Sequence, residues 1–193
     1  MEKTDEARLK ETFVSSEEIF KGKVIDVQVD SVRLPDGNMA KREVVRHPGA
    51  VVILSLTDKG DVVMVRQYRH ATGEILLELP AGKRDGEEDP LACAQRELEE
   101  ETGYKASELR VINCFYTSPG FCNELIYLIE ARGLVQGEAC PDEGEFIDVL
   151  TIPLHEAARM VFDGEIKDAK TGFGLLAACY LQEPCSKSQG ECG

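Results

Sequence analysis

Residues 23–34 alternate between apolar and polar: Ile25, Val27 and Val29 lie between Asp26, Gln28 and Asp30. A period of two is the signature of a strand with one covered face. Pro35-Asp36-Gly37-Asn38 supplies a turn, and residues 40–46 read as the returning strand. Residues 22–46 are therefore expected to form a two-stranded antiparallel ribbon, which is marginal alone and needs another surface to cover it. The twenty residues before it are charged and weakly patterned. Beyond Pro48-Gly49 the run from Ala50 to Leu56 is continuously apolar, as in a strand buried on both faces. Asp58-Lys59-Gly60 turns the chain into a second strand over 62–69, and 75–80 makes a third.

Helical spacing then takes over. Leu91, Ala94 and Leu98 stand at i, i+3 and i+7, with Asp89 as N-cap, Pro90 at the first helical position and Gly103 as the left-handed stop. Strands are expected again over 109–118, 123–132 and 145–152. Helices follow over 153–163, where Leu154, Ala157, Ala158 and Val161 share a face, and over 170–181. Hairpins alternating with a few helices specify an α/β fold, a mixed sheet with helices on both faces. Residues 183–193, rich in Gly, Ser and Lys, read as a flexible tail.

The chain has 193 residues, enough for one compact domain with its own core. Its formal net charge of −14 argues against nucleic acid or an anionic membrane as partner, since both require a basic surface. A phosphate-bearing small molecule stays admissible, because bound cations reverse a local field. No apolar run approaches the roughly 20 residues of a membrane span, and the N-terminal twenty residues do not read as a signal peptide. The seven cysteines are odd in number and hold no CxxC, so reduced thiols and a cytoplasmic location are expected. The three histidines, His47, His70 and His155, have no metal-ligand spacing.

The helix at 90–102 carries the chemistry. At about 100° per residue, Glu97, Glu100 and Glu101 fall within an arc of roughly 100° beside the apolar face, whereas Glu99 falls on the other side. Glu97 and Glu101, one turn apart, repel each other. Such an edge is either a solvated acidic face or a site for a hard divalent cation completed by a phosphorylated ligand. The longer pattern decides between them. Gly82-x5-Glu88-x7-Arg96-Glu97-Leu98-x-Glu100-Glu101-x-Gly103 would arise by chance on the order of 10⁻⁵ times in a chain of this composition. This spacing resembles the Nudix box. Tyr104 stands where that pattern prefers an aliphatic residue, a departure that touches packing more than chemistry.

Other segments resemble the bacterial ADP-ribose pyrophosphatases within the Nudix hydrolases: REVVRHPGA (42–50), VRQYRH (65–70), ELPAGKRDGEE (78–88) and YTSPGF (116–121), with Pro119 fifteen residues beyond Tyr104. The resemblance implies an α/β/α sandwich with a mixed sheet plus an N-terminal antiparallel β ribbon. It implies a division into residues 1–46 for dimerisation and substrate contacts, 47–182 for the hydrolase domain, and 183–193 as tail. The implied reaction is metal-dependent hydrolysis of ADP-ribose to AMP and ribose 5-phosphate, with Mg²⁺ or Mn²⁺ as cofactor. By position, Glu97, Glu101, the Ala81 carbonyl and Glu145 would hold metal, and Glu100 would join the same cluster. Arg96 would orient the glutamates, and Glu88 would support the loop or a second metal. The acidic loop 141–149 would supply the general base, with Glu143 favoured for that part and Glu145 as ligand. Arg69, Arg42, Arg46 and Pro119 would face substrate, although a structural ion pair is an equal reading for Arg42 and Arg46. The N-terminal region would exchange across a homodimer. Two alternatives stand beside this reading: a pyrophosphatase acting on other nucleoside diphosphate sugars (GDP- or UDP-sugars), and a binding module on an inactive scaffold, against which the intact glutamates argue.

Overall fold

The computed structural model describes residues 6–142 and 144–182. Glu143 and the tail 183–193 lie outside the described residues. Among the described residues a 3-10 turn at Glu6–Arg8 precedes ten strands and three helices. β1 (Thr12–Lys21), β2 (Asp26–Arg33) and β3 (Met39–Arg46) form an antiparallel sheet in that order. β4 (Ala50–Ser55), β5 (Asp61–Arg69), β6 (Glu74–Glu78) and β7 (Ala81–Lys83) lead into helix α1 (Pro90–Thr102). β8 (Tyr104–Tyr116), β9 (Leu125–Gln136) and β10 (Ile147–Pro153) follow, and α2 (Leu154–Phe162) and α3 (Ala169–Gln182) end the described chain.

Two further sheets build the body. One is mixed, ordered β7-β4-β9-β8, with β4 parallel to β9 and the other pairs antiparallel; the second is antiparallel, ordered β10-β5-β6. β4 is buried on both faces, as its unbroken apolar run requires. Val51 and Ile53 pack with Cys93, Ala94 and Leu98 of α1, while Val52 and Leu54 pack with Leu154, Ala157, Leu175 and Ala178 of α2 and α3. Helices thus cover both sides of the central strand. Among the described residues no helix is long and apolar enough to cross a membrane, and no disulfide joins any two of the five cysteines.

The N-terminal element departs from expectation in extent and in register. It has three strands rather than two, because residues 12–21, which lack an alternating pattern, pair with β2 from Thr12↔Arg33 to Lys21↔Asp26. Every residue of β1 is exposed, which leaves no burial to imprint a period on the sequence. Val24 and Ile25 sit in the β1–β2 turn, closed by the Gly22 N–H donating to the Ile25 carbonyl (3.0 Å). On β2 the buried residues are Asp30 and Val32, and the valines 27 and 29 are only half-covered. β7 is a second unexpected strand: residues 81–83 pair with β4 from Val52↔Ala81 to Ala50↔Lys83. β3 meets the body at Val45, whose N–H donates to the Phe121 carbonyl (2.8 Å) and whose carbonyl accepts from Asn123 (3.2 Å).

Helix α1 is bounded as its sequence specifies. The Asp89 carboxylate accepts from the N–H groups of Leu91 (2.9 Å) and Ala92 (3.2 Å), and Gly103 closes the helix at φ 75°, donating to the Glu99 carbonyl. Asp89→Ala removes the cap and is expected to lower unfolding free energy by about 1 kcal/mol, read from denaturant titration.

Candidate active site

The loop that becomes β7 and the helix that follows it bring the acidic edge together. Arg96 is the hub. Its Nε and Nη2 donate to the two oxygens of Glu88 (3.2 and 3.0 Å), and its Nη1 donates to Glu97 (2.8 Å) and Glu100 (3.0 Å). The Arg96 hydrogen bonds hold the Glu88 carboxyl down at about 2, and Glu88 in turn raises the guanidinium pKa. Glu88 also accepts from the Asp85 N–H (3.3 Å), so it ties the loop 82–88 to the helix.

Glu101 lies outside the reach of Arg96. It is 5% exposed and accepts one hydrogen bond, from the Ala81 N–H to Oε2 (3.1 Å). Burial pushes its carboxyl up to about 8, and the charges of Glu97 and Glu145 add to the rise against Ala81 and Arg69. Burial likewise raises Glu97, with Glu100 and Glu145 adding and Arg96 opposing. Glu145 is thus within electrostatic reach of both helix carboxylates, held by a turn in which its N–H donates to the Asp142 carbonyl (3.0 Å). Glu99 points away and pairs with Lys105 (2.7 Å). Among the described residues no group of three His, Cys, Asp or Glu side chains is arranged to hold a metal ion unaided. Glu97 and Glu100 each commit an oxygen to Arg96, and Glu101 commits one to Ala81.

Gly82 has a steric reason to be glycine. A Cβ there would fall 1.8 Å from Cδ of Glu97 and 2.2 Å from both its carboxylate oxygens. The Glu97 carboxylate therefore rests directly on the Gly82 backbone, beside the Ala81 peptide that holds Glu101.

A cleft of about 780 Å³ opens at this edge, lined by Ala81, Gly82 and Lys83, by Arg69 and Lys170 on one side and by His47, Ser118 and Glu124 on another. Arg69 is half-covered and docks as a fork on Glu78, Nε to Oε1 (2.8 Å) and Nη2 to Oε2 (2.9 Å). Glu78, 1% exposed, also accepts from Lys170 (2.5 Å). Burial opposes its charge, but Arg69 and Lys170 outweigh it and hold its carboxyl below the usual range. Arg42 and Arg46 are engaged within the N-terminal element, Arg42 with Glu11 and Arg46 with Asp30 (3.4 Å). Pro119 is exposed on a turn in which Phe121 and Cys122 donate to the Ser118 carbonyl (3.1 and 2.9 Å). Glu78, Lys170 and Asp168 join the cleft without any motif in the sequence to mark them. The signal for Glu78 is a lone acid inside the apolar run 75–80.

The family model of the NUDIX domain matches residues 45–171, and that of the nucleoside diphosphate sugar hydrolase N-terminal domain matches residues 11–45. The chain is 44% identical over 176 residues to the ADP-ribose pyrophosphatase of Bacillus subtilis (strain 168), covering 90% of this chain and 94% of that one. It is 45% identical over 174 residues to the methanol dehydrogenase activator of Bacillus methanolicus, covering 89% and 92%. Among solved structures, one described as an ADP compounds hydrolase superposes with a TM-score of 0.79 at 21% identity, covering 89% of this chain and 94% of that one, a likeness of fold.

Two outcomes follow from the packing of the acidic edge. Gly82→Ala should leave a folded protein whose Glu97 is displaced, with turnover reduced by about a hundredfold, checked by circular dichroism and steady-state rates. Without divalent ions, Glu101 keeps its proton in the folded state up to about pH 8, whereas the unfolded carboxyl ionises above about 4.3. The folded state binds more protons in that window, so its contribution to stability is lost as pH rises from about 4.3 to 8. Melting curves in chelator should show this loss for the native protein and a flatter profile for Glu101→Gln.

Proposed function

The chain belongs to the Nudix hydrolase family, and we propose that within it the protein hydrolyses the diphosphate bond of ADP-ribose, giving AMP and ribose 5-phosphate. The observation that carries the reaction class is the under-compensated pair of half-buried Glu97 and buried Glu101, set against the Ala81–Gly82 backbone at a cleft bordered by Arg69. The substrate is supported by the relative named ADP-ribose pyrophosphatase, aligned over nine-tenths of this chain.

The donor set fits a divalent cation. Two largely buried carboxylates resist ionisation together, and Arg96 spends its charge on Glu88, Glu97 and Glu100. A hard ion such as Mg²⁺, or Mn²⁺ in its place, takes one or two carboxylates and fills its remaining positions with backbone carbonyl, water and substrate phosphate, which answers the lack of a closed side-chain set. Glu97, Glu101, Glu145 and the Ala81 carbonyl would hold it, and bound there it neutralises the diphosphate and acidifies water. Arg96 holds Glu97 and Glu100 together along one edge of the helix. Glu143 takes the proton from the attacking water. Arg69, fixed by Glu78, turns its remaining N–H groups to the substrate phosphates. The loop at Pro119 borders the same cleft through Ser118.

The N-terminal sheet completes the assembly. Phe13, Val14, Ile19 and Phe20 on β1 are all exposed large apolar residues, an edge suited to a second copy of the chain. Residues 1–46 serve as the dimerisation element, placing Arg42 and Arg46 near the substrate of a two-fold related hydrolase domain formed by 47–182.

The deciding experiment is product release over ADP-ribose, GDP-mannose and UDP-glucose with Mg²⁺. The highest kcat/KM is expected for ADP-ribose, with no turnover in EDTA. A preference for a GDP- or UDP-sugar refutes the substrate, and full activity in chelator refutes the metal. Glu101→Gln should cut kcat by orders of magnitude while Glu99→Gln stays within about twofold of the native rate. For the assembly, Phe13→Glu combined with Phe20→Glu should halve the mass in solution; an unchanged mass would exclude β1 from the interface.

A further inference from the structure

The cleft draws its groups from both body sheets, and the chain passes from one sheet to the other through two residues, Leu79 and Pro80. β6 ends at Glu78, which holds Arg69; β7 begins at Ala81, whose N–H holds Glu101. The spacing between Arg69 and the acidic edge is therefore set by how this connector is fixed. Pro80 has no N–H, and its carbonyl accepts from Ile53 (2.8 Å). The Leu79 N–H has left the β6 ladder and donates to the Thr171 hydroxyl oxygen of α3 (2.9 Å). Thr171 is fully buried and passes its own hydrogen to Asp168 Oδ2 (2.6 Å). Asp168 also accepts from the Thr171 N–H (3.0 Å) and from Lys170 (2.8 Å). Three residues further along, on the same face of the helix, Gly174 lies so close to Leu79 that an added Cβ would fall 2.7 Å from its Cδ1. Helix α3 thus grips both the main chain and the side chain of one connector residue.

We propose that Thr171, oriented by Asp168 and backed by Gly174, is a positioning residue for the active site: it fixes the Leu79–Pro80 connector and so sets Arg69 and Glu101 in register across the cleft. This rests on the reading of those two residues as parts of the reactive site. The hydroxyl does two tasks at once that no apolar isostere can do. It satisfies a buried N–H that would otherwise stand unpaired, and its bond to Asp168 fixes the direction in which its lone pair points. Displacement of the connector by a fraction of an ångström leaves the core intact but misplaces groups whose geometry matters only during reaction.

The test compares Thr171→Val, Thr171→Ser, Gly174→Ala and, as controls on general stability, Ile166→Val and Ile166→Ala, which thin the core beside α3. Melting temperature, amide exchange at Leu79 and Ala81, and kcat and KM for ADP-ribose are measured on each. Thr171→Val is expected to speed exchange at both amides and to lower kcat by at least about tenfold, with KM changed by less than about twofold. Thr171→Ser should return both readouts to native values. Gly174→Ala, which keeps the hydroxyl but pushes Leu79, should lower kcat in the same selective way and carries the test if Thr171→Val fails to fold. The Ile166 variants should lose melting temperature and keep kcat. Native kcat in Thr171→Val, or kcat falling with melting temperature alike in the Ile166 variants, would overturn the proposal. Unaltered exchange at Ala81 in Thr171→Val overturns it whatever the substrate proves to be, whereas native protein inactive on ADP-ribose with altered exchange refutes the substrate and leaves the clamp standing.

Discussion

The desolvation of Glu97 and Glu101 is the constraint around which this fold is arranged. A buried carboxylate without a counter-charge is costly, and two on adjacent turns repel each other as well. The chain meets this partly with Arg96, which gathers Glu88, Glu97 and Glu100 on one guanidinium, and partly with the Ala81 N–H on Glu101. Neither neutralises the cluster. What is left is an excess of negative charge behind the Ala81–Gly82 edge of the cleft, stable enough to fold around but suited to a cation.

Other features follow from keeping that excess in place. Gly82 must be bare because Glu97 lies on it, and β7 exists as a strand because pairing with β4 fixes the peptide on which both acids rest. Apolar packing behind α1, through Cys93, Ala94 and Leu98 against Val51 and Ile53, orients the helix so that its acidic edge meets β7. On the far side of the cleft the chain uses the opposite solution. Glu78 and Asp168 are matched by Arg69 and Lys170, a cluster without net charge. One wall is therefore balanced in charge, and the other is not.

The sequence made the charged helix legible because its caps, its apolar stripe and its carboxylate spacing all obey one period. The placement of Glu99 outside the cluster came from the same arithmetic, and its pairing with Lys105 agrees. β4 was legible from its apolar run. β1 was not, since a strand exposed along its whole length carries no hydrophobic rhythm. β7 was hidden by brevity: three residues of Ala, Gly and Lys have no strand preference, and only the β4 edge makes them one. The valines of β2 misled about the covered face, because the buried acid Asp30, bonded to Gln28 and Arg46, takes an inward position that a hydrophobicity pattern assigns to an apolar residue. Glu78 is the same case at the site itself. Its partners Arg69 and Lys170 are distant in sequence, and only the meeting of β5, β6 and α3 reveals that a charge inside an apolar strand is paired.

A chain with a formal charge of −14 is a poor attractor for a diphosphate, and the cleft does not reverse that sign by itself. Arg69 and Lys170 are engaged by Glu78 and Asp168, and the box contributes one arginine against four glutamates. On the proposed reading, cations drawn to the under-compensated pair supply the attraction for an anionic substrate. Compensating Glu97 and Glu101 with a further arginine would make a firmer protein at lower cost in desolvation, but it would also consume the electrostatic tension that distinguishes this edge from an ordinary ion-pair network. Incomplete neutralisation, held in place by Arg96 and Gly82, is the property that separates this acidic edge from the balanced ion pairs across the cleft.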